Sequence, residues 1–378
     1  MTAPLLLCPS ALPLKILHVV GARPNFMKVA PVMAALAQYA DVKQTLVHTG
    51  QHYDVNMSDV FFQQLGIPAP DVNLEVGSSS HAQQTAQVMS RFEPVVLERK
   101  PDLVLVYGDV NSTVAAALVC AKLGVRVGHV EAGLRSFDRT MPEEINRLVT
   151  DQLADILFTP SEDGNANLAR EGIPSEKVYL VGNVMIDTLV RLLPIALEGW
   201  RAGKFQVQDL EVEPGQYALV TLHRPSNVDD PAMLAGIMEA LADISQRIPI
   251  IFPVHPRTRQ RLAALNLQLS TSSLQLIDPI SYLDFLALQR HAALVITDSG
   301  GIQEETTYLG VPCLTVRENT ERPVTVTLGT NQLVGRDMAR LRQAAARILA
   351  GEVRPHQIPP LWDGKASERI AELIAAGC

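Results

Sequence analysis

The 378-residue chain reads as an α/β protein built from two doubly wound units, and three observations predict it. First, short apolar runs rich in Val, Ile and Leu recur along the chain, continuous rather than alternating. Continuous hydrophobicity marks strands covered on both faces, as in parallel sheets with crossover helices. Second, the pattern lapses between Trp200 and Gln216, in WRAGKFQVQDLEVEPGQ, and then restarts. Third, polar residues able to carry chemistry fall just after the apolar runs, where open α/β sheets hold their ligands.

In the first half the runs are KILHVVG (15–21), TLVHTG (45–50), DLVLVYGD (102–109), VRVGHVEAG (125–133), DILFTP (155–160) and KVYLVGN (177–183). The segments between them suit crossover helices, for example 112–123 and 143–153. In the second half the runs are YALVTLHR (217–224), IPIIFPVHP (248–256), SLQLID (273–278), ALVITDSG (293–300) and PCLTVR (312–317). This is a second α/β unit. Residues 368–376, with Ser367 as N-cap, predict a closing helix. The division expected is a first domain over 1–200, with 1–14 as an extension, and a second over 201–363.

Composition narrows the function classes. Hydrophobic residues make up 47% and charged residues 19%, so the chain can bury two cores and disorder is excluded as its overall state. With 32 basic and 40 acidic residues the net charge is −8, which disfavours nucleic acid and anionic membrane as partners. Cys8, Cys120, Cys313 and Cys378 are far apart and form no C-x-x-C pair. That gives neither a disulfide framework nor a zinc knuckle, and it suits a reducing, cytoplasmic compartment. No apolar stretch approaches the about 18 residues that span a bilayer. The leader MTAPLLLCPSALPL lacks a basic start and is broken by Pro4, Pro9 and Pro13, so it reads as a frayed extension rather than a signal peptide.

GARPNFMKVAP (21–31) follows the first run directly. Gly21 permits a tight turn, and Arg23 sets a guanidinium near the start of the next helix. A phosphate would meet backbone N–H donors and a fixed positive charge there; alternatively, Arg23 pairs with a surface carboxylate. DSGGIQEE (298–305) repeats the layout in the second half. Ser299, Gly300 and Gly301 allow close approach to a helix N-terminus, which suits a diphosphate. Of Glu304 and Glu305, one is expected to bind a ribose diol and the other to complement the helix dipole.

GDVNST (108–113), GHVEAGLRSFD (128–138) and MPEEINR (141–147) place Asp109, Glu131 and Glu143 near one sheet edge. Three converging carboxylates repel one another, which would raise at least one toward neutrality and supply a base and an acid together. Glu143, after Pro142, also reads as an ordinary helix-start residue. His223 in TLHRPSN and His255 in FPVHPRT stand at strand ends, suited to acid–base chemistry or to a phosphate, the alternative for either being a satisfied core group. Histidines and carboxylates are not at helical i, i+4 ligand spacing and no H-E-x-x-H occurs, so no metal is expected; the nucleophile elbow G-x-S-x-G is also absent.

Taken in order, GARPNFMKVAP, Gln51-His52, GDVNST, GHVEAGLRS, MPEEINR, VGN (181–183), HRP (223–225), PVHP (253–256), DSGGIQEE and TERP (320–323) resemble the non-hydrolysing UDP-N-acetylglucosamine 2-epimerases. The resemblance covers nearly the whole chain after about Lys15. It implies a glycosyltransferase-B-like fold of two Rossmann-like domains with the active site in the interdomain cleft, and a final helix, 364–378, packed back on the first domain. It implies a homodimer with no metal or redox cofactor. The reaction implied interconverts UDP-GlcNAc and UDP-ManNAc by eliminating UDP to 2-acetamidoglucal and adding it back. By resemblance Asp109, Glu131, Glu143 and His223 are catalytic, with Glu131 or Asp109 the first base. Arg23, Arg135, His255, Ser299, Gly300, Gly301, Glu305 and Arg322 take substrate-binding positions.

Three departures stand out. Common bacterial members read GTRPE, QHR and HRREN where this chain has Gly21-Ala22-Arg23-Pro24-Asn25, Gln51-His52-Tyr53-Asp54 and His223-Arg224-Pro225-Ser226-Asn227. The latter two segments are associated in some relatives with an activating second UDP-GlcNAc, so simple hyperbolic kinetics is expected here. Competing readings are an epimerase of a diacetamido uronic acid nucleotide, a hydrolysing epimerase, a glycosyltransferase and a silent UDP-sugar-binding module.

Overall fold

The structure, a computed structural model, describes residues 13–51, 64–203, 212–264 and 273–377. The expectations for residues 1–12, for His52, Tyr53 and Asp54, and for Cys8 and Cys378 lie outside them. Two compact units form: Met1–Thr188 with Pro360–Cys378, and Leu189–Pro359. The first boundary falls inside the helix Val184–Arg201, ahead of the lapse that marks it in the sequence.

The first unit holds strands β1 (Leu14–Val20), β2 (Val42–His48), β3 (Val72–Asn73), β4 (Leu103–Tyr107), β5 (Arg126–Val130), β6 (Ile156–Thr159) and β7 (Val178–Leu180). They pair in the order β3-β2-β1-β4-β5-β6-β7, every described pairing parallel. The second unit holds β8 (Ala218–Thr221), β9 (Ile250–Pro253), β10 (Leu274–Ile277), β11 (Leu294–Thr297), β12 (Cys313–Thr315) and β13 (Asn331–Leu333). Their order is β10-β9-β8-β11-β12-β13, again parallel. The apolar runs became strands as expected. The two strands not anticipated, β3 and β13, lie at sheet edges and have two and three residues, too few to register as a run.

Alternate strand residues serve opposite faces, which explains the unbroken hydrophobicity. In β8, Ala218 and Val220 enter one core while Leu219 enters another. In the first unit Val104 and Val106 of β4 join Val88, Phe92 and Ala116.

Helices that position the site are α1 (Arg23–Leu36), α2 (His81–Arg99), α3 (Asn111–Leu123), α4 (Pro142–Leu153), α5 (Glu162–Arg170) and α6 (Val184–Arg201). In the second unit they are α7 (Pro225–Val228), α8 (Pro231–Ser245), α9 (Pro256–Ala264), α10 (Tyr282–His291), α11 (Gly300–Leu309), α12 (Val324–Thr327) and α13 (Met338–Leu349). The chain ends in α14 (Ala366–Ala375), which packs on α1.

Helix α1 carries Pro31 in its interior, and proline has no N–H for the carbonyl four residues back. That carbonyl belongs to Met27, and the Thr188 hydroxyl donates to it at 2.6 Å. Left alone it would cost about 1–3 kcal/mol. Helix α14 starts earlier than the sequence suggests, and Ser367 is not its cap. The Asp187 carboxylate instead accepts from the Ala366 and Ser367 amides at 3.1 and 2.6 Å, an N-cap supplied from far away in sequence. Trp362 is buried and donates to the Pro160 carbonyl at 2.9 Å, tying this terminal segment to the first unit.

Candidate active site

Register decides which residues become neighbours. Tyr107 of β4 lies opposite Val130 of β5, so the Gly108-Asp109 turn and Glu131 leave adjacent strand ends. The Gly108 amide donates to the Val130 carbonyl at 3.1 Å. Glu131 has φ +76, a left-handed conformation that costs a side-chain-bearing residue of order 1–3 kcal/mol and that functional sites retain.

Helix α1 supplies a cation here. Lys28 is buried, and its Nζ lies 2.8 Å from Glu131 Oε1. Gly108 has φ +61, and a methyl group there would fall 2.6 Å from Lys28 Nζ, so a side chain at this turn would be strained and would displace the ion pair. Helix α4 supplies a second cation: Arg147 pairs with Asp109 and with Glu144. The carboxylates therefore do not simply repel, as the sequence implied; cations are interleaved among them.

Glu144, beside the expected Glu143, takes the buried contacts. It accepts from the Ser136 amide and hydroxyl at 3.0 Å and from the Phe137 amide at 2.9 Å. Burial alone would raise its carboxyl, but Ser136, Arg147 and Phe137 outweigh that and hold it below its ordinary range. Glu143 sits half-buried in the first turn of α4.

The phosphate expectation at Gly21 changes. The Asn25 carbonyl accepts from the Gly21 and Ala22 amides at 3.1 and 3.0 Å, while its amide donates to the Tyr107 carbonyl at 2.8 Å. Those N–H donors are already taken. Gly21 itself is required by close approach, since a Cβ would lie 2.2 Å from Ser112 Oγ. Arg23 is exposed at the start of α1.

Arg135 also departs from expectation. Its guanidinium is buried and committed to Glu171 through two hydrogen bonds, 2.8 and 2.7 Å, and to Asp151 at 2.7 Å. It is thus held in a buried ion-pair network within the first unit.

The second unit repeats the register logic. Thr221 of β8 lies opposite Thr297 of β11, which brings His223 beside Asp298. Asp298 is fully buried; it accepts from the His223 amide at 3.1 Å, the Arg224 amide at 3.0 Å and Asn227 at 3.1 Å. His223 Nδ1 faces it at 3.1 Å, and this imidazole is 55% exposed. With Nδ1 committed, Nε2 is the nitrogen that can meet a ligand. Burial would raise the Asp298 carboxyl, yet His223, Arg224 and Asn227 hold it below its ordinary range.

Ser299 caps α11 without a side-chain hydrogen bond, and Gly300 and Gly301 open the helix, whose first-turn amides point to its N-terminal end. Arg322 lies over them: a Cβ at Gly300 would fall 2.5 Å from Arg322 Nη1. Glu304 holds Arg322 Nε at 2.7 Å and Glu321 holds Nη1 at 2.5 Å. Burial would raise Glu321, but Arg322, Arg317 and Arg224 keep it well below the carboxylate range. His255 is exposed at the end of β9, the strand next to β8.

Glu305 is buried, and its Oε1 accepts from the Tyr282 hydroxyl at 2.8 Å. Burial pushes its carboxyl up to about 7, with Glu304 adding repulsion and Tyr282 and Gln289 partly opposing. Among the described residues, no group of three or more His, Cys, Asp or Glu is placed to hold a metal ion.

A sequence profile of UDP-N-acetylglucosamine 2-epimerase matches residues 34–375. The chain belongs to that family. The UDP-N-acetylglucosamine 2-epimerase of Methanocaldococcus jannaschii is 42% identical over 369 residues, covering 96% of this chain and 100% of that one. A Pseudomonas aeruginosa UDP-2,3-diacetamido-2,3-dideoxy-D-glucuronate 2-epimerase is 43% identical over 372 residues, covering 96% and 99%. The crystal structure of the M. jannaschii enzyme in complex with UDP-GlcNAc and UDP matches with a TM-score of 0.88, over 96% of this chain and 100% of that one. A glycotransferase of kitacinnamycin, 13% identical with a TM-score of 0.57 and coverage of 96% and 98%, shares the fold alone. The two parallel sheets are thus those of a glycosyltransferase-B-like fold.

Within this epimerase-family chain, several residues at the site carry no role in the sequence reading. Lys28 has a legible signal, a lysine set among Phe26, Met27 and Val29, because buried lysines occur almost only in pairs. Arg147, His129, Asp151 and Asp298 have no such signal, since their partners come from other elements. Among the described residues no helix is long and apolar enough to cross a membrane.

Proposed function

We propose that this chain interconverts UDP-GlcNAc and UDP-ManNAc at carbon 2 of the sugar. The observation that carries the reading is the placement of Asp109 and Glu131 at adjacent strand ends, each beside its own cation. A carboxylate removes the carbon-2 proton, the C–H electrons form the carbon 1–carbon 2 double bond, and the bond from carbon 1 to the diphosphate oxygen breaks with its electrons leaving on UDP. A proton then returns to the opposite face of carbon 2 as the diphosphate oxygen adds back to carbon 1. Two carboxylates on different strand ends suit removal and return from different sides.

Lys28 pairs with Glu131 and fixes its position, and Arg147 keeps Asp109 in one orientation. The departing diphosphate needs positive charge and N–H donors rather than a nucleophile, which is what Arg322 and the start of α11 offer. Arg23, His255, Ser299 and Glu305 complete the assignment to the UDP moiety, and His223 assists at the diphosphate. The working protein in this reading is a cytoplasmic homodimer that uses no metal or redox cofactor.

A second reading has its own observation, the 43% identity to the diacetamido glucuronate epimerase. Proton NMR in heavy water separates the two: UDP-GlcNAc and the diacetamido uronate nucleotide are each incubated with enzyme. Deuterium entering carbon 2 of UDP-GlcNAc, with UDP-ManNAc appearing, is expected; exchange confined to the uronate overturns the first reading. UDP-ManNAc should be accepted without added UDP-GlcNAc and follow a hyperbolic rate law, and a strict requirement for UDP-GlcNAc would contradict that.

A further inference from the structure

Behind the two strand ends of the first unit lies a buried group that the mechanism above does not use. His129, in β5, has no solvent exposure. Its Nδ1 faces Asp151 Oδ1 at 2.6 Å and its Nε2 faces the Gly108 carbonyl at 2.8 Å. Asp151, on α4, is equally buried, and its other oxygen accepts from the Gly133 amide at 3.1 Å and from Arg135 at 2.7 Å. Arg135 is in turn fixed by Glu171.

This arrangement joins two turns. The Gly108 carbonyl immediately precedes Asp109, and the Gly133 amide follows Glu131 by two residues. Gly133 has φ +81, and a Cβ there would fall 2.6 Å from the Gly164 carbonyl, so the turn has no freedom to shift toward α5. Helix α4 presents Glu144, Arg147 and Asp151 at spacings of three and four, which puts all three on one face. Arg147 reaches Asp109 while Asp151 reaches His129 and the Gly133 turn.

We propose that His129 and Asp151 are a positioning pair that sets the separation of Asp109 and Glu131 without touching substrate. Both imidazole nitrogens meet oxygen partners, Asp151 on one side and the Gly108 carbonyl on the other, so one rigid ring ties the two turns together. A neutral amide in its place serves one acceptor and leaves the other unsatisfied. The inference rests on the assignment of Asp109 and Glu131 to the reaction at carbon 2. It adds the claim that their spacing, and not only their presence, limits the rate, since a displacement of about 1 Å can cost on the order of 10²-fold.

The test compares His129→Gln, Asp151→Asn and Glu131→Gln, with rates expressed per UDP-binding site from calorimetric titration, so that only folded enzyme is counted. Expected is a fall in kcat of about 100-fold for His129→Gln and for Asp151→Asn, with KM within about threefold of wild type and UDP affinity unchanged. The double variant should lose no more than either single one. A lowered Tm with kcat per site unchanged means the pair serves stability alone and overturns the proposal; so does a rise in KM that matches the fall in kcat. If Glu131→Gln still exchanges deuterium at carbon 2 at the wild-type rate, the site assignment falls and this inference with it. A dead Glu131→Gln beside a wild-type His129→Gln overturns the inference alone.

Discussion

His129 and His223 both stand near the carboxyl end of a parallel strand and both face a buried aspartate, yet they differ in exposure and so in what they can do. His129 is enclosed, with both nitrogens held by the protein. His223 commits Nδ1 to Asp298 and leaves its other edge on the exposed side. The aspartates come from different places: Asp151 from a helix face behind the sheet, Asp298 from the end of the neighbouring strand. The same pair of residue types therefore acts as a strut in one unit and as an oriented, accessible imidazole in the other. Burial and the second nitrogen's partner make the distinction, not residue identity.

The largest effect is expected for Glu131→Gln, which removes the carboxylate held by Lys28. Deuterium incorporation at carbon 2, followed by proton NMR, should fall about 10³-fold. If incorporation stays near wild type, the first unit is not where the proton moves. Asp298→Asn tests the second unit's histidine: kcat should fall about 10²-fold with KM little changed, because the amide no longer fixes the Nδ1–H tautomer. An unchanged kcat would reduce Asp298 to a loop tie and make the two pairs alike.

Gly300→Ala forces a methyl group to within 2.5 Å of Arg322 Nη1 and 2.9 Å of Glu321 Oε1. The guanidinium is pinned by Glu304 and Glu321 and has little room to yield. KM for the UDP-sugar should rise about tenfold, the loss of about one charge-assisted hydrogen bond. The smallest effect concerns Glu305. Its carboxyl lies near 7 when folded, above its ordinary value of 4.5. The folded state thus holds a proton that the unfolded chain releases near pH 4.5. The stability contributed is full below that pH and lost as pH rises toward 7. Glu305→Gln should flatten this fall, measured as a Tm difference of a few degrees between the two proteins across that range. Asp151, Asp298 and Glu321 titrate in the opposite sense, losing stability as pH falls, and are common to both proteins.

Much of the fold was legible because each buried strand announces itself as an apolar run, and the failures share one cause. Strands β3 and β13 are too short to carry a pattern and exist through pairing with β2 and β12. Ser367 has a cap's residue type, but the helix begins one residue before it and Asp187 accepts from its first amides. At the site, Asp109, Glu131, His223 and Ser299 were placed correctly beyond strand ends, since position along a strand is a local property. The state of those groups was not local. Cations from α1 and α4 replaced the repulsion expected among the carboxylates. Arg135, given a substrate-binding position by resemblance, is buried against Asp151 and Glu171.

The sequence by itself determined the two α/β units, the order of their strands along the chain and the loops in which reactive side chains stand. These follow from hydrophobic period and turn residues, which act over a few neighbours. The tertiary structure alone decided which strand ends lie side by side, which carboxylate meets which cation and which histidine stays accessible. Register and burial set those outcomes, and both depend on residues tens of positions apart in the chain.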